Sequence, residues 1–468
     1  MEKYELIVIG TGPAGEKAAV KAAYFGHRVA IIEKESHCGG AGVNTGTLPS
    51  KTLKETALYL SGKYDKGLYG IDRDIEGEAT VEHFLHRKNW IVETEAEEVR
   101  QNLINHKVDI YYGKATFQDN HHIHLMGAKE QTLYGEYIII ASGSYPFHPS
   151  SIPFDKNRVH DSDSILSIKR FPSSIAVLGA GVIGCEYATI FSTMGSSVFL
   201  INRGDKILPF IDQEVVDLFI EHMKRSEIDL LFNKSVQSVE TPSNDNEPLK
   251  VVLETGEALH VDMFLFAPGR YGNTKDLNLG KLGIEVTQKE TIPVNEHYQT
   301  AVPNIYAVGD VIGFPSLANA SMDQGRVAVA HIFQTKDLES IARVLPFGIY
   351  TVPEIATAGI SEEEAKEKQL SYCIGRARHN DMPRGKILGA KEGLLKLVFT
   401  RNDLIIKGVH IIGHLATELI HHGVDLIENQ KTLMDVIAKV YNYPTLHDLY
   451  KYAAYDGLGN LSGHKIKL

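Results

Sequence analysis

The chain has 468 residues, which is too long for one hydrophobic core and predicts about three domains. Its net charge of -11, without a basic run, argues against a nucleic-acid partner. No apolar stretch reaches the ~20 residues that a membrane helix needs, and the first predicted strand leaves no room for a leader. The three scattered cysteines form no disulfide framework. We therefore expect a cytoplasmic enzyme without a membrane partner.

A glycine pattern near the N-terminus is repeated 169 residues later. In each copy a predicted strand enters a Gly-x-Gly-x-x-Gly turn, which a small-residue helix and a second strand follow. The glycines permit the tight turn, the approach of a pyrophosphate and the close packing of helix on strand. Two such units predict two dinucleotide sites rather than two ordinary glycine-rich turns. The elements are strands 4–9 and 28–32 around helix 14–25, and strands 175–178 and 197–201 around helix 182–194.

The two copies differ in charge at the end of the second strand, where Glu33 corresponds to Asn202. A carboxylate there accepts hydrogen bonds from ribose hydroxyls, so Glu33 suits FAD or NAD and would repel a 2′-phosphate. Neutral Asn202 removes that repulsion, and Arg203 can pair with the phosphate. The Asn202 amide can also bond a ribose diol, so the second site is expected to accept NADP and NAD. The alternative is that Arg203 is a solvated turn residue.

After Glu33, residues 39–51 read Gly-Gly-Ala-Gly-Val-Asn-Thr-Gly-Thr-Leu-Pro-Ser-Lys. This segment resembles the redox-active segment of the flavoprotein disulfide reductases, Gly-Gly-Thr-Cys-Leu-Asn-Val-Gly-Cys-Ile-Pro-Ser-Lys, but Gly42 and Thr47 stand where that family has its cysteines. Neither residue supplies the thiolate that thiol–disulfide exchange requires. Electrons must therefore leave the flavin by another route. Cys38 could be a displaced thiol, although a small buried or turn residue is the preferred interpretation.

The C-terminal end departs from the same family pattern, His-Pro-Thr-x-x-Glu, whose His–Glu pair handles the thiol proton. Residues 443–448 read Tyr-Pro-Thr-Leu-His-Asp. The phenol of Tyr443, with an ordinary pKa of about 10, is a poor base at neutral pH. His447 could replace that base, but its position four residues later favours a surface or helix-cap role. Dithiol chemistry is thus expected to be lost at both ends of the chain.

The resemblance extends over nearly the whole chain. Residues 138–146 are similar to the strand and turn that close the family's FAD site, and residues 267–270 to the exit from its nicotinamide domain. Asp310, after a predicted strand at 304–308, resembles the aspartate that binds the flavin ribityl hydroxyls, although it could merely cap a helix or turn. The cofactor-binding residues that the resemblance implies are Gly10, Gly12, Gly15, Glu33, Gly39, Gly40, Lys51, Ala115, Gly143, Asp310 and Ala318 for FAD, and Gly179, Gly181, Gly184, Asn202, Arg203 and Gly269 for NAD(P).

Lys51 and Glu186 are the catalytic residues that the resemblance implies. In the family the corresponding lysine and glutamate form an ion pair near flavin N5, where the cation favours hydride arrival. Structural roles are the alternative for both residues. A glutamate in the first turn of a helix is stabilised by the helix dipole without any catalytic duty, and Lys51 could simply anchor a helix.

Residues 161–166, 200–202, 311–318 and 348–355 narrow the resemblance to the soluble pyridine nucleotide transhydrogenases. That group also has threonine at the second cysteine position, as Thr47 is here. Gly42 is a departure, because the group usually keeps the first cysteine. The implied reaction, NADPH + NAD⁺ ⇌ NADP⁺ + NADH by a ping-pong mechanism through FAD, needs no thiol.

The sequence pattern changes from about residue 346, where alternating strands followed by helices are predicted. Predicted strands 394–399 and 405–412 and a predicted helix 416–428 resemble the family's interface domain, which implies a homodimer or a larger homo-oligomer. The His-His pairs at 121–122 and 421–422 lack the companion spacing of a zinc site, so we interpret them as surface residues and expect no metal.

The predicted fold is α/β, with two Rossmann-like dinucleotide-binding domains and an α+β C-terminal interface domain. The expected boundaries are 1–150 for the first part of the FAD domain, 151–270 for the NAD(P) domain, 271–345 for the second part of the FAD domain and 346–468 for dimerisation.

Two alternatives to the transhydrogenase remain open at this point. One is an NAD(P)H-dependent flavin reductase, or diaphorase, acting on oxygen, a quinone or another small acceptor, and the other is a non-catalytic flavoprotein.

Overall fold

The computed structural model describes residues 1–63, 68–69, 79–244, 247–335, 337–338 and 340–463. The first glycine turn joins a strand, a helix and a strand as the spacing predicts. Before residue 141 the helices and strands are β1 (Lys3–Ile9), α1 (Pro13–Tyr24), β2 (Val29–Glu33), α2 (Gly40–Asn44), α3 (Thr47–Ser61), α4 (Val81–Asn105), β3 (Asp109–Phe117), β4 (His122–Gly127) and β5 (Gln131–Ile140).

Strand β1 lies between two parallel neighbours, β2 and β5. Leu6, Ile7 and Val8 are fully buried because both faces of this strand are covered, which explains its continuous apolar sequence. Small residues of α1, Ala18 and Ala22, are also fully buried and allow the helix to pack close to the core. The glycine turn therefore lies at the carboxyl ends of parallel strands, where α/β sheets bind ligands.

The second glycine turn belongs to a second parallel sheet with the strand order β10-β9-β8-β14-β7. A small antiparallel sheet, β11-β12-β13, is inserted along the chain between β10 and β14. The bounds are β6 (Ser144–Pro146), β7 (Val159–Asp161), β8 (Ser174–Leu178), α5 (Val182–Thr193), β9 (Ser197–Asn202), α6 (Gln213–Arg225), β10 (Ile228–Phe232), β11 (Val236–Glu240), β12 (Leu249–Leu253), β13 (Ala258–Val261), β14 (Met263–Phe266) and β15 (Arg270–Gly272).

A two-stranded antiparallel ribbon of β6 and β15 connects the two sheets. The chain enters the second sheet after β6 and returns to the first after β15. It then adds β16 (Ile305–Ala307) in parallel beside β5, forms a short 3₁₀ turn at Gly309–Ile312, and continues into α7 (Ala318–Phe333). The predicted strand at 304–308 is thereby confirmed, and the turn that follows it reaches the carboxyl end of the first sheet.

The last part of the chain forms an antiparallel sheet in the order β17-β18-β21-β20-β19. The strands predicted at 394–399 and 405–412 and the helix predicted at 416–428 are confirmed within a residue. The predicted α/β fold with an α+β C-terminal part is therefore confirmed. The bounds are β17 (Phe347–Ile349), β18 (Glu354–Gly359), α8 (Glu362–Glu367), β19 (Tyr372–Arg378), α9 (Pro383–Ile387), β20 (Leu394–Thr400), β21 (Ile406–Gly413), α10 (Ala416–Glu428), α11 (Leu433–Ala438) and α12 (Asp448–Ser462).

Candidate active site

Both glycine turns have the same backbone geometry. Gly10 and Gly179 each have a φ of +105°, in the region that favours glycine. A Cβ on Gly15 would collide with the Gly10 carbonyl oxygen, and a Cβ on Gly184 would collide with that of Gly179. These collisions are with backbone atoms, so no side-chain adjustment relieves them. The turns fix α1 and α5 with their N-termini at the sheet edge, where helix N–H groups favour a phosphate.

The residues that end the second strands accept the same backbone hydrogen bond in the two copies. The Thr11 N–H donates to Glu33 Oε2 over 3.1 Å, and the Ala180 N–H donates to Asn202 Oδ1 over 3.4 Å. The two sites therefore share their geometry at this point and differ in charge, as the sequence predicts.

Asn202 also fixes the loop that carries the predicted phosphate partner, Arg203. Its Nδ2 donates to the carbonyl oxygens of Gly204 and Lys206, over 3.2 and 2.8 Å. Arg203 and Lys206 are exposed beside it. The amide is thus engaged with its own loop, a contact that the sequence did not predict.

A cavity of about 590 Å³ extends from the first glycine turn to α5. Gly15 is not among its lining residues and closes the turn instead, and Gly39 holds the loop before α2 by donating its N–H to Thr11 Oγ1 over 3.1 Å. The predicted residues that line the cavity are Gly10, Gly12, Glu33, Gly40, Lys51, Ala115, Gly143, Glu186, Asp310 and Ala318. Besides Gly15 and Gly39, the predicted residues outside it lie on the second copy or its exit, and they are Gly179, Gly181, Gly184, Asn202, Arg203 and Gly269.

Lys51 and Glu186 form an ion pair at this cavity. Lys51 Nζ lies 2.8 Å from Glu186 Oε1 and 2.9 Å from Oε2, and the Ser50 hydroxyl donates to Oε2 over 3.3 Å. The Glu186 side chain is 3% exposed and that of Lys51 is 24% exposed, so the ammonium is the more open partner. Because α3 carries the lysine and α5 the glutamate, the pair joins the two dinucleotide units.

Asp310 belongs to a chain of hydrogen bonds that crosses the ribbon. The Ser144 hydroxyl donates to Asp310 Oδ2 over 3.0 Å, and Arg270 Nε donates to the Ser144 hydroxyl over 2.9 Å. Arg270 Nη1 continues to Asp163 Oδ1 over 3.0 Å. Ser144, Arg270 and Asp163 line the cavity too, and no sequence motif had indicated them as site residues.

Tyr187 is a further lining residue that the sequence did not reveal. Its side chain is 3% exposed, and its hydroxyl has no hydrogen-bond partner among the described residues. Burial, with a further contribution from the Glu186 carboxylate, raises the pKa of this phenol well above its usual value. The hydroxyl is therefore a neutral hydrogen-bond donor. The sequence signal that could have indicated Tyr187 is its position directly after Glu186 in α5.

The positions of the family's cysteines line the cavity without sulfur. Gly42 and Thr47 both face it, and a Cβ on Gly42 would lie 2.8 Å from Cγ of Pro13. Burial raises the pKa of the Cys38 thiol, whose Sγ lies 3.6 Å from the Tyr112 hydroxyl oxygen. The interpretation of Cys38 as a buried residue is confirmed. All three cysteines of the chain are buried, and none lines the cavity.

The C-terminal segment has one expected and one unexpected feature. Tyr443 is 70% exposed, and His447 is exposed at the residue before α12, which agrees with the expected surface position, although its side chain makes no cap hydrogen bond. Of the paired histidines expected at the surface, His421 is exposed and the other three, at 121, 122 and 422, are half-buried. The His422 ring lies edge-on to Tyr450, with its Nε2 3.0 Å from the Tyr441 hydroxyl.

Two kinds of feature are absent from the part of the chain that the structure describes. There, no helix is both long enough and apolar enough to cross a bilayer. Likewise, no cluster of three or more His, Cys, Asp or Glu side chains in those residues could hold a metal ion.

Two family models match the chain in sequence. The model of the pyridine nucleotide-disulphide oxidoreductases matches residues 4–325. The model of the dimerisation domain of the same family matches residues 345–454. Together they cover both dinucleotide units and the C-terminal antiparallel sheet.

Curated relatives match over nearly the full length of the chain. A soluble pyridine nucleotide transhydrogenase of Mycobacterium bovis is 39% identical over 464 residues, covering 98% of both chains. Proteins of the same name from a Marinomonas species and from Azotobacter vinelandii are each 38% identical, covering 98% of this chain and 99% of their own.

Solved structures show the same fold. LpdA of Mycobacterium tuberculosis superposes with a TM-score of 0.89 at 22% identity, covering 97% of this chain and 99% of its own. The HOCl-induced flavoprotein disulfide reductase RclA of Escherichia coli superposes with a TM-score of 0.85 at 26% identity, covering 96% and 99%.

Proposed function

We propose that this chain, which belongs to the pyridine nucleotide-disulphide oxidoreductase family, is an FAD-dependent transhydrogenase that catalyses NADPH + NAD⁺ ⇌ NADP⁺ + NADH. The observation that carries this proposal is the cavity, where an ion pair lies between two dinucleotide units and no cysteine of the chain contributes to the lining. A flavin enzyme without a thiol can still exchange hydride between nicotinamides. Disulfide reduction, by contrast, requires a thiolate.

FAD suits the residues that line the cavity. Glu33 would accept hydrogen bonds from the adenosine ribose, the N-terminus of α1 at Gly12 would receive the pyrophosphate, and Asp310 would bind the ribityl hydroxyls. A Cβ on Gly143 would meet no atom within 4 Å, so the backbone there is open to a ligand. Bound in this cavity, FAD would accept a hydride from one nicotinamide and return it to another.

Lys51 supplies the fixed charge for this chemistry. Hydride arrival adds negative charge, and an ammonium held in place beforehand stabilises that charge without reorganisation. Glu186 holds the ammonium through both carboxylate oxygens and keeps it at the boundary between the two units. The buried carboxylate thus orients the cation, while the more exposed cation faces the ligand.

The second glycine turn binds both nicotinamide nucleotides in succession. Gly179, Gly181 and Gly184 would hold the pyrophosphate at the N-terminus of α5, with Gly269 at the exit of the same sheet. Asn202 is neutral, so a 2′-phosphate meets no carboxylate, and Arg203 is available to pair with it. One site that accepts NADP and NAD requires a ping-pong order, in which the first product leaves before the second substrate binds.

The domain boundaries proposed for this mechanism are 1–150 and 271–345 for FAD, 151–270 for NAD(P) and 346–468 for dimerisation. The β6–β15 ribbon supports them, since the chain passes through it on entering and on leaving the second sheet. The match of residues 345–454 to a dimerisation domain supports a homodimer. A cytoplasmic location completes the proposal, because NAD(H) and NADP(H) are the substrates.

The first experiment is anaerobic and uses the purified holoenzyme with NADPH and thio-NAD⁺. FAD-dependent reduction of thio-NAD⁺ is expected, with no activity on lipoamide or glutathione disulfide. A flavin that NADPH reduces but thio-NAD⁺ does not reoxidise would overturn the proposal and identify a flavin reductase with another acceptor.

Initial-rate measurements test the shared site. Varying NADPH at several fixed thio-NAD⁺ concentrations is expected to give parallel lines in double-reciprocal plots. Intersecting lines would contradict a single site that the two nucleotides occupy in turn.

A further inference from the structure

The Lys51–Glu186 pair is contacted by a third segment of the chain, which belongs to the C-terminal antiparallel sheet. Tyr350 directly follows β17, and its N–H donates to Glu186 Oε1 over 3.0 Å. Its ring lies against the lysine, with Lys51 Nζ 5.0 Å from the ring centroid. That distance is within the range in which a cation is attracted to the face of an aromatic ring.

The same segment is attached to α5 at a second point. The Val352 N–H donates to the Thr189 hydroxyl over 3.1 Å, and Thr189 follows Glu186 by three residues on the helix. Residues three apart share one face of a helix. Two backbone donors of the segment therefore meet neighbouring positions of α5, and the Tyr350 backbone is fixed independently of its own side chain.

The two ends of the Tyr350 side chain have different neighbours. The hydroxyl lies beside Thr417, and a Cβ on Gly348 would lie 3.5 Å from Cε2 of the ring, so this end packs within the C-terminal part. The ring face lies beside the Lys51 ammonium. Burial raises the pKa of the phenol, which stays neutral and interacts with the lysine through its ring.

We infer that Tyr350 is a positioning residue for the hydride-transfer site, supplied by the dimerisation part of the chain and acting through Lys51. Its N–H orients the Glu186 carboxylate, and its ring holds the ammonium in place and excludes water from part of its surface. This inference rests on the proposed function, because it assigns Tyr350 a role through the cation that the reaction uses. The C-terminal part then contributes to flavin chemistry within its own subunit, in addition to forming the dimer.

The experiment compares Tyr350→Leu with Tyr350→Phe in the holoenzyme. Both variants keep the backbone N–H, and Tyr350→Phe keeps the ring face while losing the hydroxyl beside Thr417. For Tyr350→Leu we expect flavin reduction by NADPH, measured anaerobically by stopped flow, to slow about tenfold. A tenfold loss of preference for the reduced flavin corresponds to a midpoint potential about 30 mV lower for a two-electron couple. Tyr350→Phe is expected to stay within about twofold of the parent in rate.

Equal rates and equal potentials for the leucine and phenylalanine variants would overturn the inference. A merely structural role would lower the thermal stability of Tyr350→Leu while leaving the potential of its bound flavin unchanged, and that result would overturn it as well. If Tyr350→Leu does not retain FAD, Tyr350→Met is measured instead, because its unbranched side chain fills an irregular space without a ring.

The outcome is separable from the proposed function. Neither the midpoint potential nor reduction by NADPH involves NAD⁺ as acceptor. A parent enzyme that fails with thio-NAD⁺, alongside a shifted potential in Tyr350→Leu, would overturn the transhydrogenase and leave the role of Tyr350 in place. A parent enzyme that reduces thio-NAD⁺, alongside an unchanged flavin potential in Tyr350→Leu, would overturn the role of Tyr350 alone.

Discussion

Asn202 is the residue at which the two glycine units differ most in their ligand chemistry. Its Oδ1 accepts a hydrogen bond from a backbone N–H of the second glycine turn, as Glu33 does in the first copy. Its Nδ2 donates to carbonyl oxygens of the loop that carries Arg203. Substituting Glu33 would therefore change the FAD site, whereas substituting Asn202 would change the choice between nicotinamide nucleotides.

We expect Asn202→Glu to raise the KM for NADPH about tenfold while changing the KM for NADH far less. A carboxylate at this position repels the 2′-phosphate, and tenfold corresponds to about 1.4 kcal/mol. Steady-state kinetics with each reduced nucleotide and a dye acceptor measures the effect. Asn202→Leu is the matched control, since it removes the loop bonds without adding charge and should weaken both nucleotides alike. An unchanged ratio of the two KM values in Asn202→Glu would contradict the assignment.

Tyr187 lines the cavity together with most of the predicted FAD contacts, and its hydroxyl makes no hydrogen bond to the described residues. We expect Tyr187→Phe to raise the Kd for FAD about fivefold, since one hydrogen bond contributes about 1 kcal/mol. Titration of the apoprotein with FAD, followed by flavin fluorescence, measures this. The apoprotein should unfold at the same temperature as the parent, because no bond within the described structure is lost. An unchanged Kd would show that the hydroxyl does not contact the cofactor.

At the scale of the element, the packing of helix α2 depends on the absence of a side chain at Gly42. The position faces Pro13, at the start of α1, and leaves no room for a side chain. A glycine inside a helix is normally less stable than alanine by about 0.5–1 kcal/mol. Here we expect the proline ring to reverse that order, because its Cγ would lie 2.8 Å from the added Cβ.

We therefore expect Gly42→Ala to destabilise the protein by about 1–2 kcal/mol, as overpacking does. Thermal unfolding of the apoprotein measures the difference. Thr47→Ala is the control, since Thr47 is exposed at the start of α3 and lines the same cavity. A gain of stability in Gly42→Ala would show that Pro13 yields to the added methyl group.

The elements that the sequence predicted well are those set by local patterns. The glycine turns and the apolar runs of β1 and β8 depend on neighbours along the chain, so their bounds agree within a residue or two. The Lys51–Glu186 contact spans 135 residues, and family resemblance supplied it rather than any local pattern.

Other site contacts depend on packing that no single segment encodes. The Asn202 amide bonds its own loop, and this contact depends on how residues 202–206 close, which the sequence alone does not encode. The approach of Tyr350 to Lys51 requires the C-terminal sheet to dock on α3 and α5. The contacts of His422 with Tyr450 and Tyr441 likewise join residues far apart along the chain, which the histidine spacing did not indicate.

At the scale of the molecule, a buried charge network joins the second dinucleotide unit to the C-terminal sheet. Lys396 on β20 is 1% exposed and lies 2.9 Å from the fully buried Asp212 and 2.8 Å from Glu362. Burial by itself would lower the pKa of Lys396, but the carboxylates of Asp212, Glu362 and Glu214 raise it above its usual value, so the side chain stays charged. The network therefore fixes how the nucleotide unit sits against the sheet that also carries Tyr350.

Lys396→Met is expected to destabilise the protein by about 3 kcal/mol, because it leaves the Asp212 carboxylate buried without its cation. Lys366→Met is the control. Lys366 is 60% exposed and pairs with the same Glu362 over 3.1 Å, so its loss should leave the stability nearly unchanged, because solvent screens an exposed pair. Urea denaturation at neutral pH measures both variants, and equal losses would contradict a structural role for the buried network.

The absence of sulfur from the cavity lining affects which reagents can inactivate such an enzyme. Arsenicals, mercurials and electrophiles act on accessible thiolates, and peroxide inactivates through the sulfenic acid that a thiolate forms. Here all three cysteines are buried away from the cavity, and glycine and threonine occupy the former redox positions. Hydride exchange between the two nicotinamide pools would continue under oxidants and heavy metals that stop a dithiol reductase of the same architecture.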